Sequence, residues 1–295
     1  MLCRFALALG LFLSANQCLA ETAKFLQSFT WPRSERPEDV GGLSGLEITD
    51  TGQTFTALSD RGTLVEGHIL RRDNRITGLR IIKKSRLNGV DGAPLTRRSF
   101  LDSEGIAFDR QGRLYISFEW NHRVWRYAHP SAKAEWLPVA PDFRKMQTNS
   151  SLEALAIRED GSLYTLPERS GAFDKPFPVY RYANGRWSQP FVISRSGQYM
   201  PTGADFGPDG RLYLLERGFA GFGFSSRVRA FTLNATGTRI LSEQTLFTSP
   251  VGKHDNLEGL SVWTDSQERI RLTMVSDDNF RFFQRTELVE YVLTK

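Results

Sequence analysis

The sequence predicts an all-β protein, a single β-propeller of five blades closed by its N-terminal strand, with six blades as the alternative count. Three observations lead there. First, one short strand motif recurs five times: Ser44-Gly45-Leu46-Glu47-Ile48, Glu104-Gly105-Ile106-Ala107-Phe108, Glu153-Ala154-Leu155-Ala156-Ile157, Thr202-Gly203-Ala204-Asp205-Phe206 and Glu258-Gly259-Leu260-Ser261-Val262. Each copy opens on an oxygen-bearing residue, then a small one, then alternates apolar with small or polar residues. Second, three copies run through a tight turn into another strand (DRQGRLYIS, REDGSLYTL and GPDGRLYLL), and Asp-Gly or Gln-Gly between apolar runs is a hairpin signal. Third, the copies start at 44, 104, 153, 202 and 258. A period of roughly fifty residues holding four short strands describes propeller blades, and five matching registers argue against a β-sandwich.

Taken in chain order, the first element is not part of the fold. Arg4 precedes the apolar stretch Phe5 to Leu13, and Cys18 and Ala20 are small residues just before Glu21. That is a secretory signal peptide over residues 1–20 with cleavage after Ala20. Nine apolar residues fall short of the about 20 that a membrane-spanning helix needs. Both cysteines, Cys3 and Cys18, lie in this leader. The mature chain, residues 21–295, is then one domain without disulfides that relies on packing, topology or a metal for stability.

The strand Phe25–Phe29 comes next, placed to complete the last blade, whose own repeat stops after its third strand. In each blade the second strand ends on an acid: Asp60, Glu119, Glu168, Glu216 or Asp277. Third strands follow at Arg123–Tyr127, Pro178–Tyr182, Arg227–Phe231 and Leu288–Leu293. Fourth strands are read at Trp136–Val139 and Thr245–Thr248. The aromatics within strands belong to the core between blades.

The innermost strand of a propeller blade lines the axial channel, so the first residues of the five repeats converge on one rim. Ser44, Glu104, Glu153, Thr202 and Glu258 therefore form a ring of three carboxylates and two hydroxyls. Crowded carboxylates repel and take raised pKa values, and a hard cation relieves them. Oxygen-only ligands without His or Cys suit calcium, while hydrogen bonding of the Glu side chains to neighbouring blades is the structural alternative. The acids ending the second strands form another ring. Asp60, Glu119, Glu168 and Asp277 are its candidates for activating water, directly or through a metal. Arg61, Arg169 and Arg217 directly follow acids and offer bidentate contacts to an anionic group. The bland counterpart is a set of interblade salt bridges. His254, in His254-Asp255-Asn256, is the best-placed imidazole, and Gly221-Phe222-Gly223 reads as a flexible lip over the channel mouth.

Composition bounds the partners. The 38 Lys and Arg against 33 Asp and Glu give +5, scattered along the chain, and 40% of residues are hydrophobic. This is a globular protein with a weak preference for anionic small molecules, no basic block for nucleic acid and no transmembrane segment after the leader. The sequence has no G-x-S-x-G elbow, since Gly42-Leu43-Ser44-Gly45 fails the spacing. It also lacks H-E-x-x-H and a P-loop.

The chain resembles the phytase-like propeller family, also described by the esterase-like activity of phytase. The resemblance rests on Ser44-Gly45-Leu46, Asp60-Arg61-Gly62, Asp102-Ser103-Glu104-Gly105-Ile106-Ala107, Asn149 with Leu152-Glu153-Ala154-Leu155-Ala156, Pro201-Thr202-Gly203-Ala204-Asp205-Phe206 and Asp255-Asn256-Leu257-Glu258-Gly259-Leu260. It spans nearly the whole mature chain and implies an exported bacterial propeller hydrolysing phosphoesters or esters. The Ser-Glu-Glu-Thr-Glu ring is also similar to the axial calcium site of five-bladed calcium-activated apyrases. The clustered Asp, Lys and Tyr of the two-calcium site in true β-propeller phytases have no counterpart here. The expected function is thus a periplasmic or secreted, monomeric, calcium-dependent hydrolase of phosphoesters or related esters. A non-catalytic binding propeller and a lactonase-like propeller enzyme are the alternatives.

Overall fold

The computed structural model describes residues 21–49, 51–148 and 150–294. The leader over residues 1–20, its two cysteines and Asn149 lie outside them. Strand β1 (Thr22–Thr30) precedes blade 1, which is β2 (Leu43–Ile48), β3 (Thr54–Ser59), β4 (Thr63–Arg72) and β5 (Arg75–Arg86). Blade 2 is β6 (Ser103–Phe108), β7 (Leu114–Phe118), β8 (Arg123–Tyr127) and β9 (Ala134–Trp136). Blade 3 is β10 (Leu152–Ile157), β11 (Leu163–Pro167), β12 (Phe177–Ala183) and β13 (Arg186–Ile193). Blade 4 is β14 (Met200–Phe206), β15 (Leu212–Phe219), β16 (Phe224–Leu233) and β17 (Ile240–Thr248). Blade 5 is β18 (Leu257–Thr264), β19 (Ile270–Ser276) and β20 (Glu287–Thr294).

Every sheet is a four-stranded antiparallel meander, and the fifth has the order β1-β20-β19-β18. The N-terminal strand is therefore the outer strand of the last blade and closes a five-bladed ring. Two fourth strands differ from the sequence expectation, that of blade 4 starting at Ile240 rather than Thr245. The fourth strand of blade 2 spans Ala134–Trp136 rather than Trp136–Val139. Trp136 pairs with Trp125, and Pro138 has no N–H to carry the ladder further. Among the described residues no helix is long and apolar enough to cross a membrane.

The core sits between blades. Five buried clusters each join two neighbours, and alternation along a strand decides which neighbour a side chain meets. On β15, Leu212 and Leu214 pack with blade 3, while Tyr213 and Leu215 pack with blade 5. Strands buried on both faces read as continuous apolar runs, which is why RLYLL shows no polar face.

The small second residue of the repeat has a steric cause. The innermost strands approach closely around the axis, and a Cβ added to Gly203 would lie 2.3 Å from the carbonyl oxygen of Glu258. That neighbour is backbone and cannot swing aside. Gly203→Ala should therefore lower unfolding free energy by about 1–3 kcal/mol, measured by denaturant titration. Wild-type stability in this variant would show that the strands are not in contact there. At the other end of these strands, side chains latch blade to blade. Ser261 Oγ accepts the Ile48 amide at 3.0 Å, and Asp205 accepts the Val262 amide at 2.6 Å.

Candidate functional site

The five residues that open the repeats share one backbone feature. In each innermost strand the pairing register slips at its start: between Leu43 and Gly45, Ser103 and Ile106, Leu152 and Ala154, Pro201 and Gly203, and Leu257 and Gly259. The skipped residues include Ser44, Glu104, Glu153, Thr202 and Glu258. A β-bulge frees a residue from the ladder and re-aims its side chain. Here the bulges set the ring at the mouth of the axial channel.

The long members of the ring enter a cavity of about 460 Å³ at that mouth, and the short ones do not. Glu104, Glu153 and Glu258 line it. Ser44 Oγ instead donates to the Ser103 carbonyl at 2.7 Å, and Thr202 Oγ1 donates to the Leu257 carbonyl at 3.1 Å. Both hydroxyls thereby join their blade to the next. Neither residue lines the cavity, and each hydroxyl donates to a backbone carbonyl of the next blade.

The acids that end the second strands divide similarly. Asp60, Glu119, Glu168 and Asp277 all line the cavity. Glu216 is buried inside blade 4 between Arg227 and Arg229. Arg169 and Arg217 line the cavity, whereas Arg61 does not; its guanidinium stacks 3.4 Å above the Phe280 ring. His254 is the clearest misplacement. It is buried, its Nε2 lies 2.8 Å from the Tyr291 hydroxyl, and burial beside Lys253 and Arg285 pushes its pKa down to about 4. It stays neutral and faces blade 5 rather than the mouth.

The lining also includes Asp102, Asn256 and Arg281, to which the sequence reading gives no site role. Asp102 and Asn256 each lie two residues before a ring glutamate, in the loops that enter blades 2 and 5. Arg281 belongs to the loop after Asp277. That loop holds consecutive residues at positive φ, Asn279 at 47° and Phe280 at 53°. Asp277 accepts the Asn279 amide at 2.6 Å, and Asp278 accepts the amides of Gly42 and Phe280, each at 3.1 Å. Carboxylate caps of this kind hold a backbone conformation that non-glycine residues seldom adopt.

The cavity holds both paired and unpaired charge. On the side of blades 3 to 5, Arg217 spans the mouth. It donates to Glu168 at 2.9 Å and to both Asn256 and Glu258 at 2.5 Å. Burial opposes its charge, but Glu258 and Glu168 more than compensate. Among the described residues no Lys or Arg forms an ion pair with Asp60, Asp102, Glu104, Glu119, Glu153 or Asp277. Burial and mutual repulsion push these acids up. Asp60 rises to about 7 and Glu119 to about 8, with burial the largest cause in each. Glu104, Glu153 and Asp277 are held well above the usual range, again mainly by burial. Carboxyl oxygens of Asp102, Glu104 and Glu119 all lie within 4.8 Å of one another. Calcium takes oxygens at roughly 2.3–2.6 Å, so ligands on opposite sides of the ion are about 5 Å apart. The spacing and donor type of the three therefore fit a calcium ion.

This channel, with its bulged glutamates and acid-ended second strands, lies within the stretch matched by a known family over residues 38–280. The chain belongs to the phytase-like family described as esterase-like activity of phytase. Among solved structures, its fold is similar to the PQQ-bound form of aldose sugar dehydrogenase from Streptomyces coelicolor, with 12% identity, 93% and 98% of the two chains covered and a TM-score of 0.49. It is also similar to regucalcin, a calcium-binding protein from Agrobacterium tumefaciens, with 10% identity, 87% and 92% covered and a TM-score of 0.47. A gluconolactonase from Xanthomonas campestris shares 12% identity over 84% of this chain and 72% of that one, with a TM-score of 0.43. No curated protein matches at the sequence level.

Proposed function

We propose that this phytase-like protein is an exported, calcium-dependent hydrolase of phosphoesters or related esters, acting as a monomer on an anionic small molecule at the channel mouth. The observation that carries the proposal is a cavity that gathers carboxylates without a cation partner together with arginines. Asp102, Glu104 and Glu119 would hold the calcium ion. When bound, it would supply positive charge to polarise the ester or phosphoryl oxygen. Arg217 is committed to Glu168, Glu258 and Asn256, so it positions those groups at the mouth. Arg281, and Arg169 at 3.8 Å from Glu168, are exposed at the rim and within the lining an anionic group would meet.

Two acids lining the cavity suit the proton transfers. Asp60, with a pKa pushed to about 7, is partly ionised near neutrality and can take the proton of an attacking water. Asp277, whose pKa is raised mainly by burial, is the candidate to protonate the leaving oxygen. Glu168 is spent on Arg217 and is a positioning residue. The family description supports ester chemistry, and the arginines favour substrates with a negative charge.

The test is product release from nucleotides, phosphodiesters, phytate and simple carboxyl esters, each with calcium and with chelator. Turnover of one class should require calcium. Asp60→Asn should slow it by about 10²–10⁴-fold while calcium binding persists. Folded, calcium-loaded protein that turns over none of these compounds would refute the hydrolase.

A further inference from the structure

The loops that carry the mouth acids also carry strongly exposed phenylalanines. Phe222 and Phe282 are each 88% exposed, and Phe173, Phe219 and Phe283 are more than half exposed. Among the described residues no other phenylalanine is so exposed. Phe219 closes the second strand of blade 4, and the other four lie in the loops that follow the second strands of blades 3, 4 and 5. They therefore rim the cavity on one face of the ring. Phe219 itself lines the cavity, beside Arg169 and Arg281 of the neighbouring loops.

These side chains are held outward by anchored backbone. In the last loop Asp278 accepts from Gly42, Phe280 and Arg36. Phe280 packs against Gly41 and Gly42, leaving Phe282 and Phe283 in water with their rings 5.4 Å apart. A soluble protein that ends in water seldom gathers aromatics on one face. These loops carry the exposed cations Arg169, Lys175, Arg281 and Arg285, and Lys253 is exposed in the adjoining loop, whose Gly252 amide donates to the Phe224 carbonyl. Besides the carboxylates of the mouth itself, the exposed acid of these loops is Asp174, while Asp255 of the adjoining loop lies 3.6 Å from Arg285. Aromatic rings that enter the acyl boundary beside Lys and Arg that meet phosphate headgroups are the complement of an anionic bilayer.

We infer that the mouth face of blades 3 to 5 docks on an anionic membrane surface, inserting Phe222, Phe282 and Phe283. Docked this way, the mouth faces the headgroups, so the ester class it meets is lipid-borne. That substrate class rests on the hydrolase reading, whereas the docking does not.

The experiment is flotation of the purified protein with vesicles rich in phosphatidylglycerol and with phosphatidylcholine vesicles. Binding should favour the anionic vesicles and weaken with salt. The triple variant F222S/F282S/F283S should keep its melting temperature and its turnover of water-soluble esters, yet lose at least about tenfold in vesicle binding. Equal binding by wild type and variant would overturn the inference, as would no binding by either. Concentration-dependent self-association abolished by the variant, without vesicle binding, would assign the face to a second copy instead. Vesicle binding without hydrolysis of any ester would uphold the docking and remove the hydrolase. Hydrolysis of soluble esters without vesicle binding would do the reverse.

Discussion

Glu216→Ala should destabilise the protein by about 3–5 kcal/mol, on the order of 10 °C in melting temperature. Glu216 is fully buried, and Arg229 is 1% exposed. Glu216 accepts from Arg227 Nε and Arg229 Nε at 2.8 Å each, and from Arg229 Nη2 at 2.5 Å. Removing that carboxylate leaves two guanidiniums facing each other within a blade. Arg229 keeps Glu243, at 2.7 Å and partly exposed, and Arg227 keeps only the Ser196 hydroxyl and the Tyr199 ring. The informative comparison is Glu119→Gln, at the equivalent repeat position. Glu119 sits beside Asp102 with no cation, so neutralising it in chelator should raise the melting temperature at neutral pH. Two substitutions at one repeat position are thus expected to shift thermal unfolding in opposite directions. A small loss from Glu216→Ala would mean that Arg227 and Arg229 find other partners, and the blade 4 acid would be no scaffold.

That divergence explains how much of the site was legible in the sequence. The repeat fixes backbone placement, and the ring and second-strand acids were found because each is the same step of the same meander. Side-chain length then decides what a placed residue does. Ser44 and Thr202 reach only the adjacent carbonyl, while the glutamates reach the axis. Partners distant in sequence decide the rest. Glu216 turns to arginines on β16 because Arg227 and Arg229 project there, whereas β8 places Arg123 against Phe118 and Trp125 and leaves Glu119 to the channel. Asp102 and Asn256 share one position, two residues before a ring glutamate, but that position holds other residue types in the remaining blades and carries no recurring signal. His254 misled because its neighbours in sequence are polar, while its neighbours in space are Phe25 and Tyr291.

Uncompensated acids at the mouth should make stability depend jointly on pH and calcium. Asp60 rises from 3.8 to about 7 on folding, and Glu119 from 4.5 to about 8. An acid whose pKa rises on folding binds its proton more tightly in the native state. Its contribution is fully present below the unfolded value and is lost as pH climbs through the folded one. In chelator, the melting temperature should therefore fall from about pH 4 to about pH 8. Calcium needs these carboxylates ionised, so its stabilisation should grow over the same window and be small at the acid end. A ligand at a hundred times its dissociation constant adds about 2.7 kcal/mol, a shift of several degrees that thermal melts resolve. Glu104→Gln combined with Glu119→Gln should abolish the calcium increment and, in chelator, raise stability near neutral pH. If the increment is flat with pH or survives the double substitution, the ion binds elsewhere. If the chelator melts do not fall with pH, the acids at the mouth are not under the strain their burial implies. The sign of the double variant decides between the two roles open to the ring: a structural salt-bridge network would lose stability when neutralised, whereas a preformed cation site gains it until calcium is returned.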